Sequence, residues 1–361
     1  MSHSNAASLR TLQAAGQGAR AFAVHLKRFE AIVLHASAQT GRGLRRHLAV
    51  RCYLEDLRTP AFLLQGLGRV YRKVLPRDAG AVIERQRIIY KEVEDALGEF
   101  DAWHALFGRA HTAWRAPAVV QAWFHDNRMH AAGRVDAALH LLRLTPEAGG
   151  HGTVEGARDI PGLVGIRAEC ADLPWPADRK DRKKVARFLA DELREIEEQC
   201  ESGTLNLRNL EGGLHELRRR LRWPSVYAAA LNGLVVIGTQ RAAAPGLTHY
   251  FTDAVTGSRH AHLTRNRRVA QPLEINYAHW IALSWLIQEL GLLKDQRQWT
   301  AALKAALSAS GARPGRGLAQ MLGKDFTTAA TTARAAANAV ERLVLKERVL
   351  GCIADELDRQ A

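Results

Sequence analysis

Residues 214–223 read LHELRRRLRW. Leu214, Leu217 and Leu221 recur at i, i+3 and i+7, the repeat of a single helix face. At about 100° per residue those leucines fall within roughly 60° of one another, while His215, Arg218, Arg219 and Arg222 fall between about 40° and 140° around the axis. The stretch therefore reads as a two-faced helix. Its leucines pack, its cations form a stripe, and Arg220 points elsewhere, toward solvent. Gly212 and Gly213 set the start near Leu214. Pro224 is expected to end or kink the helix, because its ring clashes with the carbonyl of residue 220.

Like charges on one helix face repel by about 0.2–0.5 kcal/mol per adjacent pair. An anion bridging them turns repulsion into attraction, and the planar guanidinium fork suits phosphate. His215 lies in the first turn, where free N–H groups and the helix dipole also favour an anion. The plainer alternative is a solvated arginine face neutralised by acidic neighbours. Segment 182–199, RKKVARFLADELREIEEQ, offers Asp191, Glu192, Glu195 and Glu198 for that purpose.

Working outward, most of the chain has helical periodicity broken by glycine and proline. The expected class is all-α, with two pseudo-symmetric helical bundles side by side. Four short stretches recur in order: HLKRFE (25–30) and ELREIE (192–197), LEDLR (54–58) and LHELR (214–218), QGL (65–67) and NGL (232–234), DALGEFD (95–101) and QELGLLKD (288–295). Their order points to an internal duplication. The expected organisation is a tail over 1–19, a first bundle over 20–145, a Gly/Pro-rich linker over 146–177, and a second bundle over 178–361 with a basic insertion at 241–272.

The first half's counterpart of the motif helix is RRHLAVRCYLEDLRTP (45–60). Arg51, Glu55 and Arg58 share a face there, and Glu55 stands where His215 stands, so Glu55 is expected to pair with Arg51 and Arg58. The insertion carries a second basic cluster, SRHAHLTRNRRVAQ (258–271), with Arg259, His260, His262, Arg265, Arg267 and Arg268. It reads as a basic loop, either solvated or gathering an anion.

Formal charge is +14, with a pI near 10.1 and 47 % apolar residues. That excess implies a polyanionic partner or a strongly positive local field, with polyphosphate, nucleic acid, a membrane surface and an acidic protein all open, and 361 residues supply a large core. Nucleic acid remains an alternative, although aromatics are only 6 % and the 258–271 cluster contains none. Four cysteines without a Cys-x-x-Cys pair give no zinc signature. No stretch reads as a signal peptide or a membrane span, so a cytoplasmic protein without membrane insertion is expected. The chain shows no Gly-x-Ser-x-Gly, no phosphate-binding Gly-x-x-x-x-Gly-Lys and no His-Glu-x-x-His. A non-enzymatic protein without cofactor or metal is expected. The enzyme alternative is a helical metal-dependent phosphohydrolase using the carboxylates of 191–199. His104, His125 and His130, near Trp103, Trp123 and Met129, read as histidines at the edge of an aromatic core, with ligation as the alternative.

A His-x-x-Arg-Arg-x-x-Arg helix followed by a Leu-Gly helix, here LHELRRRLRW and IQELGLLKDQRQW (287–299), resembles the conserved histidine α-helical domain (CHAD) family. VEDALGEFDAWHAL (93–106) resembles the same Leu-Gly helix. The resemblance implies two four-helix bundles binding inorganic polyphosphate along a basic surface, and a place near polyphosphate granules. It assigns that binding to His215, Arg218, Arg219 and Arg222. In the first half Arg58 lines up with Arg218. Arg51, Arg259, Arg265, Arg267 and Arg268 are the remaining cations expected to contribute. With Glu55 in place of a histidine, the chain departs from the family pattern, which implies either a one-sided site or a divergent relative that has lost the activity.

Overall fold

The computed structural model describes residues 10–112, 117–145, 160–207, 209, 213–239, 245–311 and 331–361. These are helical almost throughout, and the chain is all-α. No helix among the described residues is long and apolar enough to cross a membrane. The chain divides into two compact units, Met1–Asp181 and Arg182–Ala361.

Unit 1 contains α1 (Gln17–Ala38), α2 (Leu48–Leu54), α3 (Arg58–Val74), α4 (Arg77–Thr112), α5 (Ala118–Leu141) and α6 (Pro161–Ala171). Buried Phe22, Leu26, Phe29, Val33 and Ala36 recur every three or four residues on α1. That stripe packs on α3, which packs on α4, which packs on α5.

Two expected boundaries shift. Residues 10–14 of the expected tail are helical, Leu12 is buried, and the Gly18 N–H donates to Asp181 Oδ2 at 2.9 Å; residues 1–9 lie outside the described set. In the expected linker, Pro161 occupies the first turn of α6, whose Leu163, Ile166 and Cys170 are buried against α1 and α4. Glycine and proline content hid that apolar spacing. Residues 146–159 lie outside the described set, and the division falls instead inside α7 (Asp178–Glu201).

The counterpart helix at 45–60 is also not continuous. A 3₁₀ turn, Gly43–Arg46, precedes α2, and Asp56 takes a left-handed conformation (φ 60°) before α3 begins at Arg58. The Thr59 hydroxyl donates to Asp56 Oδ1 at 2.8 Å and fastens that corner.

In unit 2, α7 buries Val185, Leu189, Leu193 and Ile196. The motif helix is α8 (His215–Ala230). Pro224 lies inside α8 and does not end it, so the helix continues through the buried Val226, Tyr227 and Ala228. Two three-residue strands, β1 (Val235–Ile237) and β2 (Leu273–Ile275), pair in parallel and bracket the insertion. Then follow α9 (Tyr277–Ser310), packed on α8, and α10 (Val349–Arg359), packed on α9.

Part of the insertion is packed, which corrects the basic-loop reading there, whereas Arg265, Arg267 and Arg268 are exposed on an irregular stretch as that reading has it. Val255 and Ala261 form a cluster with Ile281 of α9, flanked by Phe251, Tyr277 and Trp285. The His260 carbonyl accepts from Trp280 Nε1 and from the Ser284 hydroxyl, both at 2.9 Å.

Candidate functional site

Leu217 and Leu221 of α8 are buried and Leu214 is 3 % exposed, while His215 and Arg219 are exposed and Arg218 and Arg222 are half-buried. The cations have different fates. Arg219 pairs with Glu216 of its own helix at 2.9 Å. Arg220, expected in open solvent, pairs with Glu195 of α7 and with Glu216, at 3.2 and 3.3 Å. One acidic partner from the 182–199 segment, Glu195, therefore reaches Arg220. Glu192 instead accepts from the Tyr227 hydroxyl at 3.4 Å.

Arg218 packs its guanidinium on α9. A Cβ built on Gly291 would stand 3.5 Å from Nε and 3.8 Å from Nη2 of Arg218. Unit 1 has the same arrangement. A Cβ on Gly98 of α4 would stand 2.8 Å from Nη2 of Arg58 and 3.3 Å from its Cζ. Both arginines thus lie across the glycine of a Leu-Gly pair.

The surroundings then diverge. Four residues before Gly98 and three after it stand Glu94 and Asp101, which hold Arg58 at 3.0 and 2.6 Å. Asp101 also accepts from the Tyr53 hydroxyl at 2.6 Å. The positions four before and three after Gly291 are Ile287 and Lys294. Two carboxylates are replaced by one apolar side chain and one cation.

Arg51 does not share Arg58's stripe. Its guanidinium donates to the carbonyls of Ala36, Arg45 and Arg46 at 2.7, 2.8 and 2.9 Å, fastening the turn before α2. Glu55 faces His35 at 3.3 Å and accepts from Gln39, so the expected Glu55 pairing with Arg51 and Arg58 is not what forms. The break at Asp56 separates α2 from α3 and takes the two arginines off a common face.

In unit 2 the positive field converges on two histidines. Partial desolvation lowers the His215 pKa, and Arg218, Lys294 and Arg219 lower it further against an opposing Glu216. Burial pushes His260 down to about 4, reinforced by Arg259, Arg222 and Arg218. Arg218 acts on both rings. The cluster therefore draws on α8, on Lys294 of α9 and on Arg259 of the insertion. Arg265, Arg267 and Arg268 are exposed and are not among the charges acting on these rings; Arg265 donates to the Ile237 carbonyl at 3.1 Å. Beside the cluster runs an open groove of about 440 Å³. It is lined by Leu214, Leu290 and Leu293 together with His215, Lys294 and Arg297.

The site thus includes Lys294 and Arg297, which the helical wheel of α8 could not supply. Their signal is the Leu-Gly helix: Lys294 follows Gly291 by three residues, one turn along the face that receives Arg218. On α7, Glu195 is engaged by Arg220 and Gln199. Among the described residues no three His, Cys, Asp or Glu side chains gather as a metal site.

No family model, curated protein or solved structure matches the chain.

Proposed function

We propose that the chain is a one-sided polyanion binder that takes inorganic polyphosphate, in the manner implied by the CHAD resemblance, through the cation cluster of unit 2. The observation that carries this reading is the open groove lined by His215, Lys294 and Arg297 beside the α8 stripe. Arg58 is neutralised by Glu94 and Asp101, whereas the matching positions beside Arg218 are Ile287 and Lys294.

The cluster suits a multivalent ligand. The charges of Arg218, Arg222 and Arg259 act on His260, and those of Arg218, Lys294 and Arg219 on His215. Each phosphate gripped releases condensed counterions, so affinity rests on phosphate count and salt rather than on one strong contact. No covalent step is required, and the chain acts as a binding protein. Residence at cytoplasmic polyphosphate granules belongs to the same proposal.

Calorimetric titration with long-chain polyphosphate across a salt series tests it. With four to six phosphates engaged, log K against log salt has a slope of roughly −3 to −4, by analogy with single strands. Polyphosphate also displaces duplex or single-stranded DNA at equal phosphate concentration. Salt-independent binding, or DNA displacing polyphosphate, overturns the assignment; the latter result makes nucleic acid the partner.

A further inference from the structure

The groove beside the α8 stripe has a floor that a bare phosphate chain does not use. On α9, Leu290, Leu293 and Ala301 share one face, and Leu214, just before α8, adds a third leucine. At 1.5 Å per residue the α9 wall from Leu290 to Ala301 runs about 16 Å. The 440 Å³ therefore form a trench rather than a round pocket. That volume lies within the roughly 300–1,000 Å³ of small-molecule sites, which are mostly apolar with a few placed polar groups. A phosphate chain is charged along its whole length, and laying it on leucine costs hydration without returning hydrogen bonds.

Polar side chains border this floor: His215, Lys294, Arg297 and Gln298. None of the described lining residues is acidic. Lys294 touches Asp295 at 3.3 Å, but that pair joins sequence neighbours at the surface and is worth little. The trench has two different ends. Arg218 lies across Gly291 at one end, and Ala301 stands at the other. His215 belongs to both settings, because it lines the trench and feels the charges of Arg218 and Arg219 on the stripe. A ligand that fills the whole trench therefore has an anionic end and a body with apolar faces. An alkyl body would leave His215 and Gln298 facing hydrocarbon, which is costly for unmet polar groups. A purine instead lays an apolar face on leucine and turns the donors and acceptors of its edge toward an imidazole and an amide.

We propose that this trench binds a nucleoside 5′-polyphosphate, with its phosphates toward Arg218 and Lys294 and its base toward Leu214, Leu293 and Ala301. Gln298 and His215 meet the edge of the base. The phosphate end rests on the polyphosphate reading of the same cations, and the base subsite is added to it. Binding is non-covalent throughout.

Calorimetry on the full chain compares ATP with tripolyphosphate, which has the same number of phosphates and no base, at one salt concentration without magnesium. ATP should bind about ten-fold more tightly, the gain from burying a ring face on leucine. Ala301→Phe, at an exposed helix position, should fill the base end and remove that preference. In NMR spectra the adenine protons should show contacts to leucine methyl groups that Ala301→Phe abolishes. Tripolyphosphate binding as tightly as ATP overturns the base subsite and leaves the polyphosphate reading standing. ATP binding without any binding of tripolyphosphate or long-chain polyphosphate keeps the base subsite and overturns that reading. Dodecyl phosphate binding more tightly than ATP assigns the trench to an acyl chain and overturns the proposal, as does an ATP preference that survives Ala301→Phe. Binding of none of these ligands overturns both.

Discussion

The guanidinium of Arg218 lies against Gly291, with room for a Cβ at 3.5 Å from Nε. The Arg58–Gly98 contact is tighter, at 2.8 Å, and is fixed by two carboxylates. The same substitution should therefore act differently at the two glycines. Alanine in a helix interior is favoured over glycine by about 1 kcal/mol. Gly291→Ala makes only an ordinary contact and should stabilise the protein by up to that amount. Gly98→Ala must displace Arg58 from Glu94 and Asp101, losing on the order of 1–3 kcal/mol of charge-assisted bonding, and should be neutral to destabilising. Urea denaturation of both variants gives the comparison; equal effects would show that Arg58 is not held as described.

If Glu94 and Asp101 stand in for an anion, removing their charge should create a demand for one. Glu94→Gln with Asp101→Asn should add a second tripolyphosphate-binding event per chain and make its affinity salt-dependent. Calorimetric stoichiometry reads this directly. An unchanged stoichiometry in a folded variant would mean that Arg58 is purely structural.

Binding should also be linked to protons. His215 and His260 have depressed pKa values because cations and burial oppose their charged forms. A bound polyanion reverses the electrostatic part, so both pKa values rise and protons are taken up on binding. Affinity should therefore increase as pH falls from 7 toward 5. Equal calorimetric enthalpies in buffers of different ionisation enthalpy, indicating no proton uptake, would contradict this.

Asp181 gives an independent pH effect in unit 1. Its carboxylate accepts from the Gly18 N–H at 2.9 Å and from the Tyr71 hydroxyl at 3.0 Å, yet burial raises its pKa to about 6. Because the folded pKa lies above the unfolded one, the native state holds the extra proton between pH 4 and 6. The stabilisation is full below the unfolded pKa and is lost as pH rises through about 6. The span amounts to about 3 kcal/mol. Asp181→Asn should flatten that part of the stability–pH curve; an unchanged slope would show that Asp181 does not titrate there.

Helix periodicity made α8 legible because its leucines and cations separate cleanly by angle, and that separation appears in the burial of Leu217 and Leu221. The Arg58–Arg218 correspondence was legible from sequence order alone. Other features depended on tertiary packing. Pro224 predicts an end or a kink, and burial of the next turn carries α8 past it without an end. Arg51 was placed with Arg58 by assuming a continuous helix, and the left-handed Asp56 breaks that assumption. The insertion looked like a basic loop because its apolar residues are short and scattered. Their partners, Ile281 and Trp285, lie on α9, beyond any local window.

The most direct test is the equilibrium affinity of the intact chain for long-chain polyphosphate, compared with that of Arg218→Ala/Arg222→Ala at one fixed salt concentration. Loss of two charge-assisted phosphate contacts should weaken binding by at least about ten-fold while circular dichroism shows the helices unchanged. Wild-type affinity in the folded double variant would show that the stripe around Arg218 is not where the polyanion is held.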